Sequence, residues 1–132
     1  MARKRNQGSK WIRPHKRTAL YTRDRWTCVY CAGDVTPGNA EGKYATLDHV
    51  VACENGGTNQ ASNLVTACHT CNSRKLDKSM RSFFKYLRNK RGHTHEQTSV
   101  IGRRVRQAVA RNWKHHYARI VQEVAEAELA RG

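Results

Sequence analysis

Apolar and β-branched residues dominate a short segment near the middle of the chain, residues 44–51, and this pattern predicts a β-strand. A second short apolar run at residues 63–66 predicts a second strand. The residues between the two runs are polar and include Gly56-Gly57, which indicates a loop or a wide turn. Asp48 and His49 interrupt the first run. A buried strand has little use for such a pair in packing, so both become candidates for chemistry.

Helical spacing of apolar residues characterises the second half of the chain. From residue 72 these residues recur up to Leu87, and Gly92 is expected to end the helix. Residues 98–130 carry a further apolar stripe at i, i+3 or i+4 spacing, which predicts one second helical stretch. Packing on the core, contact with DNA and dimerisation all remain open as its role. A short helix is also expected around residues 15–24.

Charge is abundant and unevenly placed. The 132 residues include 25 Lys and Arg against 10 Asp and Glu, a net charge of +15, and nucleic acid is the simplest partner for such a surface. Residues 28–72 hold one basic and four acidic residues, whereas residues 73–95 hold eight basic and one acidic. An acidic segment that is flanked by basic segments is expected where a divalent cation binds next to a phosphate group. No apolar run approaches the roughly 18 residues of a membrane span, and the start lacks a secretory signal, so an intracellular location is expected.

Four of the five cysteines form two C-x-x-C pairs, Cys28/Cys31 and Cys68/Cys71. In a reduced intracellular chain two such pairs predict one tetrahedral zinc site, which would also stabilise a chain with only 38% hydrophobic residues. Cys53 has no partner at ligand spacing and is expected to be a small buried hydrophobe. The 36 residues between Cys31 and Cys68 exceed the gap of a simple zinc ribbon, so a folded element is expected there.

Four polar residues in and beside this gap could do chemistry: Asp48, His49, Asn63 and Asn72. Asn72 follows Cys71, so zinc would hold it near the first strand, and Asp48 and Asn72 offer the oxygen ligands that Mg²⁺ or Mn²⁺ prefers. Alternation along a regular strand points Asp48 and His49 to opposite faces, so a shared site requires a backbone bend. Singly, each residue has an ordinary structural explanation, such as a helix N-cap for Asn72. Together, in this order, they indicate a catalytic site.

From about residue 18 to residue 75 the sequence resembles the HNH endonucleases, a family with a ββα-metal fold. The resemblance lies in RDRWTCVYC, LDHVV, the double glycine, NLVTAC and CNSRK. It implies an α+β protein with a small ββα-metal core pinned by a four-cysteine zinc site and a helical C-terminal extension. The expected divisions are a flexible basic arm at 1–14, the nuclease domain at 15–92 and the extension at 93–132.

The resemblance also implies roles for single residues. His49 is the general base, Asn63 orders the loop between the strands, and Asn72 takes the third motif position as a metal ligand. Asp48 matches the acidic metal ligand that precedes the base, and Lys75 matches a basic helix residue that faces the phosphate. The expected nucleic-acid contacts come from one basic segment and are Arg74, Lys75, Lys78 and Arg81.

The function so implied is metal-dependent hydrolysis of DNA, by nicking or by double-strand cutting, in the cytoplasm of a bacterium or a phage-infected host. Zn²⁺ is the structural cofactor, and Mg²⁺, Mn²⁺ or another divalent metal is the catalytic one. DNA is the expected partner, and a homodimer or a phage or mobile-element protein is left open as a further partner. The alternatives are a zinc-stabilised nucleic-acid-binding protein without activity and a basic zinc protein that binds RNA or the ribosome.

Two details depart from the family pattern or could mislead. Ala52 and Cys53 stand where members often have proline after the apolar pair, which affects the shape of the loop. His69 lies inside the second cysteine pair and is expected to be exposed to solvent rather than to replace the motif histidine.

Overall fold

A two-stranded antiparallel hairpin with five helices around it forms the part of the chain that this computed structural model describes, residues 12–111 and 113–131. The elements in chain order are α1 (Pro14–Arg23), β1 (Ala45–His49), β2 (Leu64–Cys68), α2 (His69–Lys75), α3 (Met80–Arg91), α4 (His95–Ala110) and α5 (Trp113–Arg131). The fold is α+β, with the strand–loop–strand–helix order that the sequence predicts. Most of the predicted basic arm falls on residues 1–11, which lie outside the described residues.

The hairpin is regular along its whole length. Ala45 pairs with Cys68 at one end and His49 pairs with Leu64 at the other. Because side chains alternate along a strand, Asp48 and His49 lie on opposite faces. The bend that a shared Asp48–His49 site requires is therefore not found within β1.

A small apolar cluster covers each face of the hairpin. On the Asp48 face, Val65 and Ala67 of β2 pack with the cysteines and with Phe83 of α3. On the His49 face, Leu47 and Leu64 pack against the inner side of α1. The α1 cluster consists of Ile12, Leu20, Tyr21, Leu47, Ala61 and Leu64. The core is thus divided by the sheet into two thin parts, so each face depends on its own stabilising contacts.

The single helix predicted from residue 72 to Gly92 is in fact two helices, α2 and α3. The Sγ atom of Cys68 accepts a hydrogen bond from the Cys71 N–H at 3.4 Å, which starts α2 before Asn72. Leu76 has a φ of +52° and ends α2, while Gly92 with a φ of +74° ends α3 as predicted. Asn72 consequently lies inside a seven-residue helix, and the expectation that it starts a helix is wrong.

The helical stretch predicted over residues 98–130 is also interrupted. Arg111 has an extended backbone with ψ 148°, which ends α4 before α5 begins. Ile101, Val105 and Ala108 of α4 pack into the cluster that contains the cysteines, so packing on the core, one of the expected roles, is confirmed for α4. The other helix of the predicted stretch, α5, packs along α1. Within the described residues, no helix combines the length and apolar content needed to cross a membrane.

A buried ion pair ties α1 to the loop end of the hairpin. The guanidinium of Arg23 contacts the carboxylate of Asp24 through two atom pairs, at 2.7 and 2.9 Å. Its Nη atoms also donate to the carbonyl oxygens of Ala61 at 2.9 Å and Leu64 at 2.6 Å. Asp24 in turn accepts a hydrogen bond from the Thr66 N–H at 3.0 Å. These contacts satisfy both buried charges, as buried ion pairs require.

Candidate active site and metal centre

The four paired cysteines converge on one point beside the hairpin. Their Sγ atoms all lie within 4.8 Å of one another, and those of Cys31 and Cys68 are 3.9 Å apart. A tetrahedron of thiolates around zinc has edges of about 3.8 Å, given bonds of about 2.3 Å. The N–H groups of Cys31 and Cys71 point at the sulfurs of Cys28 and Cys68, at 3.5 and 3.4 Å. The predicted metal-binding cluster is therefore present.

The protonation of these thiols shows why a cation suits the cluster. The hydrogen bond with Cys31 raises the pKa of Cys28 to about 11, and the contact with Cys28 raises the pKa of Cys71. The same interactions lower the pKa of Cys31. Four adjacent thiolates repel one another, and a divalent ion removes that conflict. The donor set fits structural zinc, since four thiolates leave no open position for a substrate.

Two residues near the cluster differ from expectation. Cys53 lies at the start of a 3-10 turn and is half-buried rather than buried, outside the four-cysteine cluster. His69 is half-buried rather than exposed, because its ring stacks on Tyr44 with the centroids 4.2 Å apart. Neither residue joins the metal-binding cluster found among the described residues.

His49 closes β1, and its half-buried imidazole lies at the loop end of the hairpin. Its Nε2 atom is 2.7 Å from the side-chain oxygen Oδ1 of Asn59. Lys16 of α1 donates a hydrogen bond to the backbone carbonyl of the same asparagine at 2.6 Å. No other hydrogen bond to the imidazole is found among the described residues. An imidazole with one nitrogen engaged and the other open can act as a general base.

Asn63 cross-links the loop that follows β1. Its Oδ1 accepts from the Val51 N–H at 2.8 Å, and its Nδ2 donates to the carbonyls of Val51 at 3.0 Å and Thr58 at 2.9 Å. The loop is so tight that a Cβ atom on Gly57 would lie 1.7 Å from the Val51 carbonyl oxygen. A glycine is therefore required at this position. The contacts fit the loop-ordering role that the family resemblance implies for Asn63.

Asp48 lies on the other face and is only 4% exposed. Its carboxylate contacts the Lys75 ammonium at 3.2 Å and accepts a hydrogen bond from the Tyr30 hydroxyl. Burial raises the pKa of Asp48 above its ordinary value, although the Lys75 charge and the Tyr30 hydrogen bond act in the opposite direction. Burial and the Asp48 charge likewise raise the pKa of Tyr30. The carboxylate thus already has a cation partner inside the protein.

This ion pair corrects the expected role of Lys75. The side chain is fully buried, and its ammonium also donates to the His49 carbonyl at 2.9 Å, so it does not face a phosphate on the surface. The reason is the direction of α2, which turns this residue toward the hairpin. Of the other expected nucleic-acid contacts, Arg81 is exposed, and Arg74 and Lys78 are half-buried.

Asn72 fastens α2 to β1 through its amide nitrogen, which donates to Thr46 Oγ1 at 2.9 Å and to the Leu47 carbonyl at 3.3 Å. No partner of its side-chain oxygen is found among the described residues. This oxygen and the Asp48 carboxylate are of the type that Mg²⁺ and Mn²⁺ prefer, and two protein ligands suffice when phosphate and water supply the rest. The donor chemistry therefore fits a divalent ion. Two cations on one buried carboxylate repel, however, so such an ion competes with Lys75.

The sequence patterns did not identify Tyr30 and Asn59 as members of the site. Tyr30 lies between Cys28 and Cys31, so the metal site fixes its position. Its place within the cysteine pair was the one sequence signal that could have identified it as a residue of the site. Asn59 follows the double glycine in a loop that has three asparagines, Asn55, Asn59 and Asn63. Nothing in the composition of that loop singles out the asparagine that reaches His49.

Comparison with protein families gives an independent description of this region. The sequence model described as HNH endonuclease matches residues 28–78. The matched span contains the four clustered cysteines together with Asp48, His49, Asn63 and Asn72. No curated protein matches the chain. The matched span also contains the hairpin, the helix that follows it and the cysteine cluster, so residues 28–78 are similar to the HNH endonucleases in sequence and in the order of their elements.

Proposed function

We propose that this protein is a metal-dependent endonuclease that hydrolyses phosphodiester bonds of DNA. The observation that carries the proposal is the family match over residues 28–78, which includes the hairpin with His49 at its loop end. A net charge of +15 supports a polyanionic substrate.

His49 is the proposed general base. Its open ring nitrogen takes a proton from a water molecule as the water oxygen attacks phosphorus in line, and the bond from phosphorus to the 3′ oxygen breaks. The products are a 5′-phosphate and a 3′-hydroxyl, whose oxygen takes its proton from solvent. Asn63 contributes by holding the loop beside His49, through its contacts with Val51 and Thr58.

Asp48 and Asn72 are the proposed ligands of the catalytic divalent ion. Such an ion supplies polarisation of a phosphate oxygen and neutralises charge on the leaving oxygen. An ion at Asp48 must share or replace an existing partner, because the Lys75 ammonium lies 3.2 Å from the Asp48 carboxylate. We propose that, when the ion binds, the Lys75 ammonium either moves away from the Asp48 carboxylate or shares it with the ion. Lys75 is then a charge partner of the metal site rather than a phosphate contact.

The proposed DNA-binding surface lies on the basic helices after the hairpin. Three residues predicted from the sequence remain candidates: Arg74 in α2, Lys78 in the connection between α2 and α3, and Arg81 in α3. A groove of about 450 Å³ between α3 and α4 adds a second set, Arg88, Arg103 and Arg106, with no acidic residue in its lining. None of these three arginines forms an ion pair with a carboxylate of the described residues. Guanidinium groups without a carboxylate partner can donate hydrogen bonds to phosphate oxygens.

The buried Asp48–Lys75 pair favours one alternative, a zinc-stabilised protein that binds nucleic acid without cutting it, because the expected metal ligand already has a cation. Supercoiled plasmid distinguishes the two functions. Zinc-loaded protein is incubated with plasmid in metal-free buffer and in parallel with Mg²⁺ or Mn²⁺. The proposed nuclease converts the plasmid to nicked or linear DNA only with the added ion. Binding of the plasmid without any cleavage under both ions would support the alternative.

A further inference from the structure

The contact between His49 and Asn59 determines which ring nitrogen can act as a base. Oδ1 of Asn59 can only accept a hydrogen bond, so His49 Nε2, 2.7 Å away, carries the proton in this contact. The Nδ1 atom then keeps its lone pair. Without such a partner, a neutral imidazole exchanges between two tautomers and can rotate about its side-chain bonds.

Asn59 is itself held in place from two directions. Its backbone carbonyl accepts the hydrogen bond from Lys16 at 2.6 Å. The preceding carbonyl, that of Thr58, accepts the hydrogen bond from the Asn63 side chain at 2.9 Å. A residue fixed on both sides at its backbone has little freedom to move its side chain away from His49.

Lys16 connects this contact to the C-terminal helix. Its ammonium lies 5.4 Å from the ring centroid of Trp113, the first residue of α5. Burial lowers the pKa of Lys16, which agrees with a side chain enclosed between helix and loop. Contacts therefore run without interruption from Trp113 through Lys16 and Asn59 to His49.

We propose that Asn59 is a positioning residue that sets the tautomer and the ring orientation of His49, and that Lys16 and Trp113 hold it there. The inference rests on the proposed function, because it assigns a role to Asn59 through the general base. It gives the C-terminal helix a part in catalysis although α5 does not carry any of the proposed catalytic residues. A purely structural Asn59 would order the loop but leave the imidazole unaffected.

The test combines nuclear magnetic resonance with kinetics on zinc-loaded full-length protein. Imidazole ¹⁵N shifts report the tautomer, and the His49 signals among seven histidines are identified by their loss in His49→Ala. In wild type, at a pH where the ring is neutral, the proton is expected on Nε2. Asn59→Ala should give mixed tautomers and lower kcat by about 10- to 100-fold, with unchanged affinity for duplex DNA.

Two further variants complete the design. Asn59→Asp keeps an acceptor for Nε2 and should retain the wild-type tautomer, whereas Asn55→Ala, an exposed asparagine in the same loop, should behave as wild type in both measurements. If Asn59→Ala shows the wild-type tautomer and the wild-type kcat, the positioning role of Asn59 is wrong. The proposed function is unaffected by that result as long as cleavage still depends on His49. A wild-type protein that cuts no DNA with any divalent ion would overturn both.

Discussion

Two buried ion pairs lie beside the hairpin, Arg23–Asp24 at the outer edge of β2 and Lys75–Asp48 between α2 and β1, and they differ in how completely their charges are satisfied. In the Arg23–Asp24 pair two contacts of 2.7 and 2.9 Å join the groups, and two backbone carbonyls accept further hydrogen bonds from the guanidinium. In the Lys75–Asp48 pair one ammonium lies 3.2 Å from one carboxylate oxygen and 3.5 Å from the other. Among the described residues, the Tyr30 hydroxyl is the one further side chain that donates to Asp48.

The difference follows from the chemistry of the two cations. A guanidinium binds a carboxylate through two parallel contacts and stays charged, so Arg23 fixes the geometry of Asp24. An ammonium is a compact point charge that another cation can replace. We therefore interpret the Arg23–Asp24 pair as structural. We interpret the Lys75–Asp48 pair as an ion pair in which a divalent ion can replace the Lys75 ammonium.

Removal of the metal centre is expected to break both pairs at once. Cys71 lies on the same short helix as Lys75, and Cys68 ends the strand that contains Thr66, a partner of Asp24. Structural zinc contributes about 10–16 kcal/mol in small zinc domains, more than most domains have in total stability. Cys71→Ser should therefore lose both zinc and helical circular dichroism. Cys53→Ser, outside the cluster, should keep one zinc ion. A folded, zinc-free Cys71→Ser protein would show that the fold does not depend on the metal centre.

Arg23→Leu tests the pair interpreted as structural. The substitution leaves the Asp24 carboxylate buried without its cation, which typically costs about 3–5 kcal/mol. Urea unfolding measures this loss, and Mn²⁺ should not restore it. Lys85→Leu, an exposed change on α3, serves as the control and should stay within about 0.5 kcal/mol of wild type. Equal stability of the two variants would show that the Arg23–Asp24 pair is not needed.

Lys75→Met tests whether the second pair is exchangeable. The expected loss is smaller, about 1–3 kcal/mol, because burial has raised the pKa of Asp48 and the carboxyl can take up a proton instead. Mn²⁺ should then raise the melting temperature of Lys75→Met more than that of wild type, since its cation competitor is gone. The double variant Lys75→Met/Asp48→Asn should lose this response. If Lys75→Met gains nothing from Mn²⁺, Asp48 is not a metal ligand.

The smallest effect is expected for Arg111→Ala. Arg111 lies 3.9 Å from the Asp24 carboxylate, but its side chain is 39% exposed, and exposed pairs contribute about 0–1 kcal/mol. Its loss should leave the unfolding midpoint in urea nearly unchanged. A loss as large as that of Arg23→Leu would mean that Asp24 depends on both arginines rather than on its buried partner alone.

The parts of the fold that the sequence predicts are those fixed by local chemistry. Cysteine spacing predicts the metal-binding cluster, because a C-x-x-C turn directs two sulfurs to one point. The strands follow from their apolar runs, and Gly92 ends a helix because it adopts a positive φ. The helix break at Leu76 has no such signal, since leucine rarely adopts a φ of +52°. The Leu76 side chain is 66% exposed, so its own packing does not explain the break.

The sequence predicts four candidate residues of the site but not their arrangement. Asp48, His49, Asn63 and Asn72 are recognisable by type and order. The burial of Lys75 is not, because a charged residue at a helix end is usually exposed and only the packing of α2 on the hairpin encloses it. The same holds for the contact from Asn59 to His49, which depends on the exact path of the loop at residues 50–63, and Asn63 holds that loop in place.

Comparison of wild type with His49→Ala shows whether His49 is the base of a DNA-cutting site. Plasmid cleavage is measured with the same divalent ion for both proteins, and binding to duplex DNA is measured in parallel. Equal binding is expected, with cleavage at least about a hundredfold slower in His49→Ala, since loss of a general base costs about 10²–10⁴ in rate. Cleavage at the wild-type rate by purified His49→Ala would show that His49 is not the base.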